Sequence, residues 1–480
     1  MAAQLESTLK AKAHNGRPRK FRAFFVLVVL LFVALGAQSS AAQTRLVVRD
    51  SLGLPNLLNV CHLLGCSVLQ AVGDPDGQVF VVQLPQALDP VTTLLLLQLN
   101  LGIVSVELDQ VVHTQSASAG PAPSYLTDKT PVSYYGSTVW RGYITQPAAQ
   151  LIRNDATHST FGATGNNVIV AVIDTGVDPN HPVLKNSLVQ GYDFTRNQSG
   201  GSEMSDVSQS TVAVLDGDAA QVSQSTVAVL DQSTVAVLDG PPYAAFGHGT
   251  MTSGIVHLVA PQAKIMPLKS FHADGSAYNS DILRAIYYAA GHNANVINMS
   301  FNYTSYSAEL EKAVNYATNK GLICVAAAGN SGQQATVYPA ALKNVIDVAS
   351  TSNSDIRSTF SNYGAPPVWL AAPGEGVMTT YPFGTYAAGW GTSFSTPLVA
   401  GVSAEMDSLY NLQASTQTSI SLGSLSLSLS LQSSASAPSS KTQAANALSH
   451  AQPISDPQLG YGRLDSYKAV QSWRTTLGLK

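Results

Sequence analysis

An α/β fold with a doubly wound, mostly parallel sheet flanked by helices is what this sequence predicts, preceded by a smaller α+β unit. Three observations carry the expectation. Short apolar runs alternate with helix-length stretches from Val168 onward. Several of those runs end on glycine-containing segments that bear reactive side chains, at the edge where open parallel sheets hold their ligands. Ahead of them, Arg45 to about Gln110 has a strand and helix order of its own.

Composition bounds the function classes. The 480 residues carry a formal net charge of −4, and Asp, Glu, Lys and Arg make up only 11%, against about 25% in ordinary globular chains. No basic patch or charge run favours nucleic acid or an acidic partner. Ser, Thr, Asn and Gln must therefore cover the surface, which suits an exported protein.

The N-terminus points the same way. Arg17, Arg19, Lys20 and Arg22 precede the 15-residue apolar run Ala23–Ala37, the length of a signal-peptide core and short for a membrane span. Residues 1–42 are read as a signal peptide cleaved after Ala42, with a signal anchor or a misplaced start as the alternative. No other apolar stretch reaches spanning length, so no stable membrane insertion is expected.

From Arg45, the runs RLVVR, SVLQAV, QVFVVQL and GIVSVEL read as four strands, with helical stretches at Leu52–Leu64 and Pro90–Asn100. The β-α-β-β-α-β order predicts a ferredoxin-like unit over residues 43–112. Cys61 and Cys66 within it are read as two small buried thiols, with a bridge between them as the alternative; three cysteines make no disulfide framework. Residues 113–139, rich in Ser, Ala, Pro and Gly, read as a linker.

Residues 140–480 form the main domain. Val168–Ile173, Lys264–Leu268, Val296–Met299, Leu322–Ala327 and Val345–Ala349 suit buried parallel strands. Ser280–Ala290 and Ser307–Lys320 suit helices, the second with Ser307 as N-cap and Gly321 just past its end. Two inserts interrupt the pattern, at about 199–241 and 412–440. The first holds the octet QSTVAVLD three times, from Gln209, Gln224 and Gln232, each able to form a strand. It is read as a protruding loop near the cleft and of little consequence, with a substrate-contacting or intermolecular strand as the alternative. The second is a serine-rich tract including SLSLSLSL, expected to be a flexible excursion.

The chemistry sits in four segments: VIVAVIDTGVD around Asp174, FGHGT around His248, VAAAGNSG around Asn330 and GWGTSFSTPLVAG around Ser393. A serine hydroxyl attacks a carbonyl only when a base takes its proton, and that base must be oriented and stabilised as an imidazolium. Ser393, His248 and Asp174 supply those three parts, with His248 expected in a loop because glycines flank it. The Asn330 amide and the Ser393 N–H could then hold the developing oxyanion. A pepsin-like site needs a second Asp-Thr/Ser-Gly, which is absent, and no HExxH marks a zinc hydrolase. His181 and His257 read as ordinary histidines. Taken singly, Ser393 is only an N-cap and Asn330 only a turn residue.

Taken together, DTGVDPNHP, GHGT, VINMSF, AAAGN, GTSFSTP and LGYGRLD resemble the blocks of the subtilisin family of serine proteases, in that family's order of Asp, His and Ser. The resemblance covers Trp140 to Val470, apart from the inserts. It implies a subtilisin-like fold and a secreted serine endopeptidase acting through an acyl-enzyme on Ser393, with Asn330 in the oxyanion hole. It also implies that residues 43–112 are a propeptide, an intramolecular inhibitor whose last residues occupy the cleft, with self-cleavage between Val111 and Ser133; an unrelated accessory domain is the alternative.

Polypeptide substrates would lie as an added strand between Phe271–Ala277, including Gly275, and Ser300–Tyr303. Where relatives have Ser-Leu-Gly-Gly, this chain has Ser300, Phe301, Asn302 and Tyr303, which implies a narrower S1 pocket. Met251 and Leu398 replace two histidines that take no part in proton transfer. No cofactor is required for the chemistry. Structural calcium is left open, because Val183 stands where many relatives have a calcium-binding aspartate. The alternative to an active enzyme is a non-catalytic or latent protein-binding module on the same fold.

Overall fold

The computed structural model describes residues 44–85, 89–114, 117, 120–207, 227–229, 243–364, 368–418 and 440–479. The leader expected over 1–42 lies outside them. Two compact units divide the chain, Met1–Asp109 and Gln110–Lys480.

In the first unit, β1 (Arg45–Asp50), α1 (Leu54–Leu64), β2 (Ser67–Ala71), β3 (Val79–Gln83), α2 (Pro90–Gln98) and β4 (Ile103–Leu108) follow one another. The strands pair antiparallel in the order β2-β3-β1-β4. Alternate residues Leu46, Val48, Phe80, Val82 and Val106 face one side, where they meet Leu57, Val60 and Cys61 of α1 and Leu97 of α2. Asp89 caps α2 by accepting from the Thr92 N–H at 2.8 Å. The reading of two thiols is corrected: Cys61 and Cys66 form a disulfide. Gly65, in the left-handed region at φ 73°, ends α1 and turns the chain back, so the two Cα atoms come within 4.6 Å.

The second unit begins earlier than the expected linker allows. Residues 113–139 carry ordered elements: β5 (Val111–His113), a 3₁₀ turn (Ser124–Thr127), β6 (Pro131–Tyr134) and β7 (Ser137–Trp140). Tyr134 fixes this stretch by donating its hydroxyl to the Leu258 carbonyl at 2.6 Å. Then follow α3 (Asn154–Phe161), β8 (Ile169–Asp174), β9 (Tyr192–Asp193), β10 (Gln198–Ser199), β11 (Val227–Val229), α4 (His248–Val259), β12 (Lys264–Lys269), β13 (Ser276–Tyr278) and α5 (Asn279–Gly291). After them come β14 (Val296–Met299), α6 (Ala308–Asn319), β15 (Ile323–Ala327), β16 (Ile346–Thr351), β17 (Leu370–Pro373), β18 (Val377–Tyr381), β19 (Thr385–Gly389), α7 (Thr392–Thr418), α8 (Ser440–Leu448) and α9 (Ser466–Thr476).

The main sheet runs β10-β9-β12-β8-β14-β15-β16-β17, parallel from β9 to β17. Its central strands are mostly apolar because helices cover both faces: α4 and α7 on one, α5 and α6 on the other. Ser307 caps α6 as expected, accepting from the Leu310 N–H at 3.0 Å. Since the strands are parallel, Asp174, Lys269, Ser300 and Asn330 all emerge at one edge of the sheet.

The first insert is shorter than its expected bounds of 199–241. Ser199 ends β10, and Glu203–Asp206 form a 3₁₀ turn whose first residue is buried. Of the three octets, only part of the second is described: Val227–Val229 pair antiparallel with Gly389–Ala387 of β19. The other two copies and most of the serine-rich tract lie outside the described residues.

Among the described polar residues buried in the sheet, Asp347 lacks a charged partner. Asp347 in β16 is fully buried, and neither carboxyl oxygen makes a hydrogen bond of normal geometry. Burial pushes it up to about 8 from 3.8, offset only partly by the Val348 N–H. The unfolded chain ionises this group near 3.8 while the folded chain keeps it protonated to about 8, so stability falls as pH rises through that interval. Asp347→Ala should raise the melting temperature, by more at about pH 9 than at about pH 5. Thermal unfolding of the variant in a Ser393→Ala background, which prevents self-digestion, checks this; equal gains at both pH values would contradict it.

Candidate active site

Asp174 is the last residue of β8 and is buried. Its Oδ1 accepts from the Thr175 N–H at 2.7 Å and from His248 Nδ1 at 2.8 Å, and its Oδ2 accepts from Thr252 Oγ1 at 3.1 Å. A carboxylate only accepts, so His248 carries its proton on Nδ1 and leaves Nε2 as the basic nitrogen. His248 is not in a loop, as its flanking glycines suggested, but is the first residue of α4. Gly247 at φ 89° turns the chain into the helix. Gly249 lies so close to the Gly176 carbonyl that any Cβ would collide with it. The two glycines thus let the first turn of α4 rest on the loop after Asp174, which sets the His248–Asp174 distance.

Ser393 is the second residue of α7, so its backbone N–H lies at a helix N-terminus. Its hydroxyl donates to the Ser300 carbonyl at 2.9 Å, and Ser300 Oγ donates back to the Ser393 carbonyl at 2.9 Å. Among the described residues no hydrogen bond joins Ser393 to His248. The two are nonetheless neighbours, since the His248 ring lies 5.6 Å from the ring of Phe394. The Asn330 Oδ1 accepts from both the N–H and the hydroxyl of Thr392, each at 2.9 Å. This pair fixes the amide so that its NH₂ faces away from Thr392.

Beside these groups, Gly275 accepts from the Thr114 N–H at 2.9 Å, and β5 continues that pairing along β13. Phe301 packs against Phe271, ring centroids 4.9 Å apart. Asn302 is buried, and a Cβ on Gly329 would come within 3.1 Å of its Oδ1. Tyr303 turns its hydroxyl to Asn279 Oδ1, at 2.8 Å. His181 and His257 stand apart: His181 Nε2 meets the Thr385 carbonyl, and burial pushes His257 down to about 4.

Burial opposes charging His248, but the Asp174 and Glu203 carboxylates outweigh it and its pKa is raised above 6.5. Glu203 was missed in the sequence because it falls inside the expected insert. Burial pushes it up to about 7 against the hydroxyls of Thr250 and Thr175, the Lys269 ammonium and the Gly247 N–H.

The profile of the Subtilase family matches residues 165–462. The chain belongs to the subtilase family. It is a subtilisin-like serine endopeptidase by kinship, and polypeptides are its substrates. It is similar to thermitase of Thermoactinomyces vulgaris, 37% identical over 250 residues covering 50% of this chain and 75% of the relative. It is similar too to an alkaline protease of Alkalihalobacillus alcalophilus, 33% identical over 311 residues covering 63% of this chain and 68% of that protein. Subtilisin BL of Lederbergia lenta is 35% identical over 252 residues, covering 51% of this chain and 77% of its own length.

In this subtilase Met251 and Leu398 are fully buried in the apolar core. Val183 is itself a core residue, and nearby Asp178 accepts from the N–H groups of Asn180 and Phe383, one on each carboxylate oxygen. No group of three or more His, Cys, Asp or Glu that could hold a metal ion occurs among the described residues. Among them, too, no helix is long and apolar enough to cross a membrane.

Proposed function

We propose that this subtilase is a secreted endopeptidase that cleaves peptide bonds through Ser393, His248 and Asp174 and matures by removing its N-terminal unit. The observation that carries the reading is the 2.8 Å bond from His248 Nδ1 to Asp174, placed beside the N-terminus of the helix that bears Ser393. Rotation of the Ser393 hydroxyl from the Ser300 carbonyl towards His248 Nε2 prepares the attack; catalytic hydrogen bonds often tighten only when substrate is bound. Oγ adds to the scissile carbonyl as Nε2 takes its proton. The Asn330 NH₂ and the Ser393 N–H receive the oxyanion. His248 then protonates the leaving amine, and water releases the acyl group by the same steps in reverse. No cofactor takes part.

Asn330→Ala should lower kcat by about 10²–10³ with KM little changed, a magnitude known for such a donor in a subtilisin and not obtained from these distances. Steady-state kinetics on a peptide ester and a peptide amide check it. A rate within threefold of wild type removes Asn330 from the oxyanion hole.

The N-terminal unit, with its β-α-β-β-α-β order and sheet order β2-β3-β1-β4, is read as a ferredoxin-like propeptide. The segment after it supports this, because Val111–Thr114 pair along Ser276–Tyr278 and Gly275 in the antiparallel manner of a bound peptide. Self-cleavage follows within Val111–Ser133, and intact mass before and after incubation reads it.

The S1 pocket is proposed to be narrow, formed between Ser300–Asn302 and Gly329. Asn302 reaches across to within contact of Gly329, a gap that a glycine at position 302 would leave open. A library of peptides varied at the residue before the scissile bond should favour small or slender side chains. Large aromatic residues leading that profile would contradict the narrowing.

A further inference from the structure

We propose that Glu203 is a positioning residue of the catalytic pair: its buried carboxylate ties the loop after Asp174 to the first turn of the helix that carries His248. This rests on the reading of Asp174 and His248 given above.

Glu203 opens a 3₁₀ turn and is wholly inaccessible to solvent. Its Oε2 accepts from Thr175 Oγ1 at 3.0 Å and from the Gly247 N–H at 2.9 Å, and its Oε1 accepts from Thr250 Oγ1. Thr175 follows Asp174; Gly247 and Thr250 bracket His248. One carboxylate therefore holds the immediate neighbours of both catalytic residues.

The hydroxyls extend the grip. Thr175 Oγ1 accepts from the Gly249 N–H at 2.9 Å, which commits its own proton to Glu203. Thr250 Oγ1 likewise accepts from the Asp178 N–H at 2.7 Å and turns its proton to Glu203. All three groups facing the carboxylate are donors, an arrangement that only an acceptor-only side chain satisfies.

The charges around it are few. Lys269, fully buried at the end of β12, donates to the carbonyls of Thr175 and Phe271 at 2.8 and 2.7 Å and to Asp206 Oδ2 at 2.6 Å. Arg196 holds the other oxygen of Asp206. Asp174 and His248 complete the set. The Lys269 charge is thus shared between Asp206 and the backbone, and Glu203, when ionised, contributes a second negative charge that favours protonated His248. That charge adds to Asp174 in favouring the imidazolium formed during attack.

The test uses full-length Glu203→Gln and Glu203→Asp, with kcat expressed per site labelled by a fluorophosphonate. The Gln amide presents N–H to a donor whichever way it is placed. Glu203→Gln should lose about 10- to 100-fold in kcat with KM within twofold, since a small misplacement of catalytic groups costs this much. The acid limb of its pH profile should also move to lower pH. Glu203→Asp keeps the charge and should retain the wild-type acid limb with an intermediate kcat.

A merely structural Glu203 would lower the melting temperature and the fraction of labelled sites, while each labelled site kept the wild-type kcat and acid limb. That result overturns the proposal. If Glu203→Gln does not fold, Glu203→Asp decides alone: an unchanged kcat per site rejects positioning, and a reduced one supports it. A wild-type protein that neither labels nor cleaves would instead reject the triad reading on which the proposal stands.

Discussion

Ser393→Ala should leave a folded protein whose kcat has fallen by a factor on the order of 10⁶, the magnitude known for nucleophile removal in subtilisin rather than one obtained from this geometry. The loss is large because the hydroxyl that shares hydrogen bonds with Ser393 is already committed. Ser300 Oγ donates to the Ser393 carbonyl and accepts from Asn298 Nδ2, so both of its roles are occupied. Peptide binding should persist in Ser393→Ala once its N-terminal unit, which pairs through Val111–Thr114 along Gly275–Tyr278, has been cut away in trans, since Gly275, Ser276 and Ser300–Asn302 are untouched. Kinetics with a sensitive fluorogenic peptide, together with binding of the uncleaved peptide, separate the two effects. A variant retaining more than about one part in 10³ of wild-type kcat would move the nucleophile elsewhere, because that is roughly the most that binding and an oxyanion hole supply without it.

Asp174→Asn should cost about 10⁴ in kcat, because an amide of the same shape donates where the carboxylate accepts and so favours the wrong imidazole tautomer. The geometry makes this substitution informative. Asp174 Oδ1 and Oδ2 accept three donors, the Thr175 N–H, His248 Nδ1 and Thr252 Oγ1. An Asn amide must mispair with at least one of them. Its effect on pH is also signed. The imidazole must be neutral to act as base, so activity rises with pH through the His248 titration, which lies above 6.5. Removing the Asp174 charge should move that rise to lower pH. A kcat/KM profile across about pH 5–9 shows whether both the drop and the shift occur. A rate loss without the shift would assign Asp174 a purely steric part.

Much of this was legible in the sequence, for reasons specific to each element. Parallel strands buried on both faces leave unbroken apolar runs, so β8, β12, β14, β15 and β16 were found within two residues of their ends. Asp174, His248, Asn330 and Ser393 stand out in the sequence because glycines lie beside each, where the chain turns sharply or approaches itself closely. His248 was placed in a loop because glycine is a poor helix former, yet Gly247 and Gly249 serve the helix entrance. The Cys61–Cys66 bridge is only the second reading of the sequence because it depends on the left-handed turn at Gly65, a backbone property and not a compositional one.

Glu203 was hidden by a boundary. The repeated octets drew the insert's edge back to Ser199, although the described residues run on to Val207. No periodicity marks a single buried carboxylate in GSEMSD. Its Thr partners are likewise visible only once β8 and α4 meet. Asp347 gave no signal either, since Val345–Ala349 reads as a buried parallel strand and nothing marks its one polar residue.

Fluorophosphonate labelling of the purified protein, located by peptide mass and run beside Ser393→Ala, tests the triad most directly. The account predicts one phosphonyl group on the peptide containing Ser393, none on the variant, and loss of the N-terminal 110–130 residues or so from the wild type alone. An unlabelled wild type, or a label on any other residue, would contradict it.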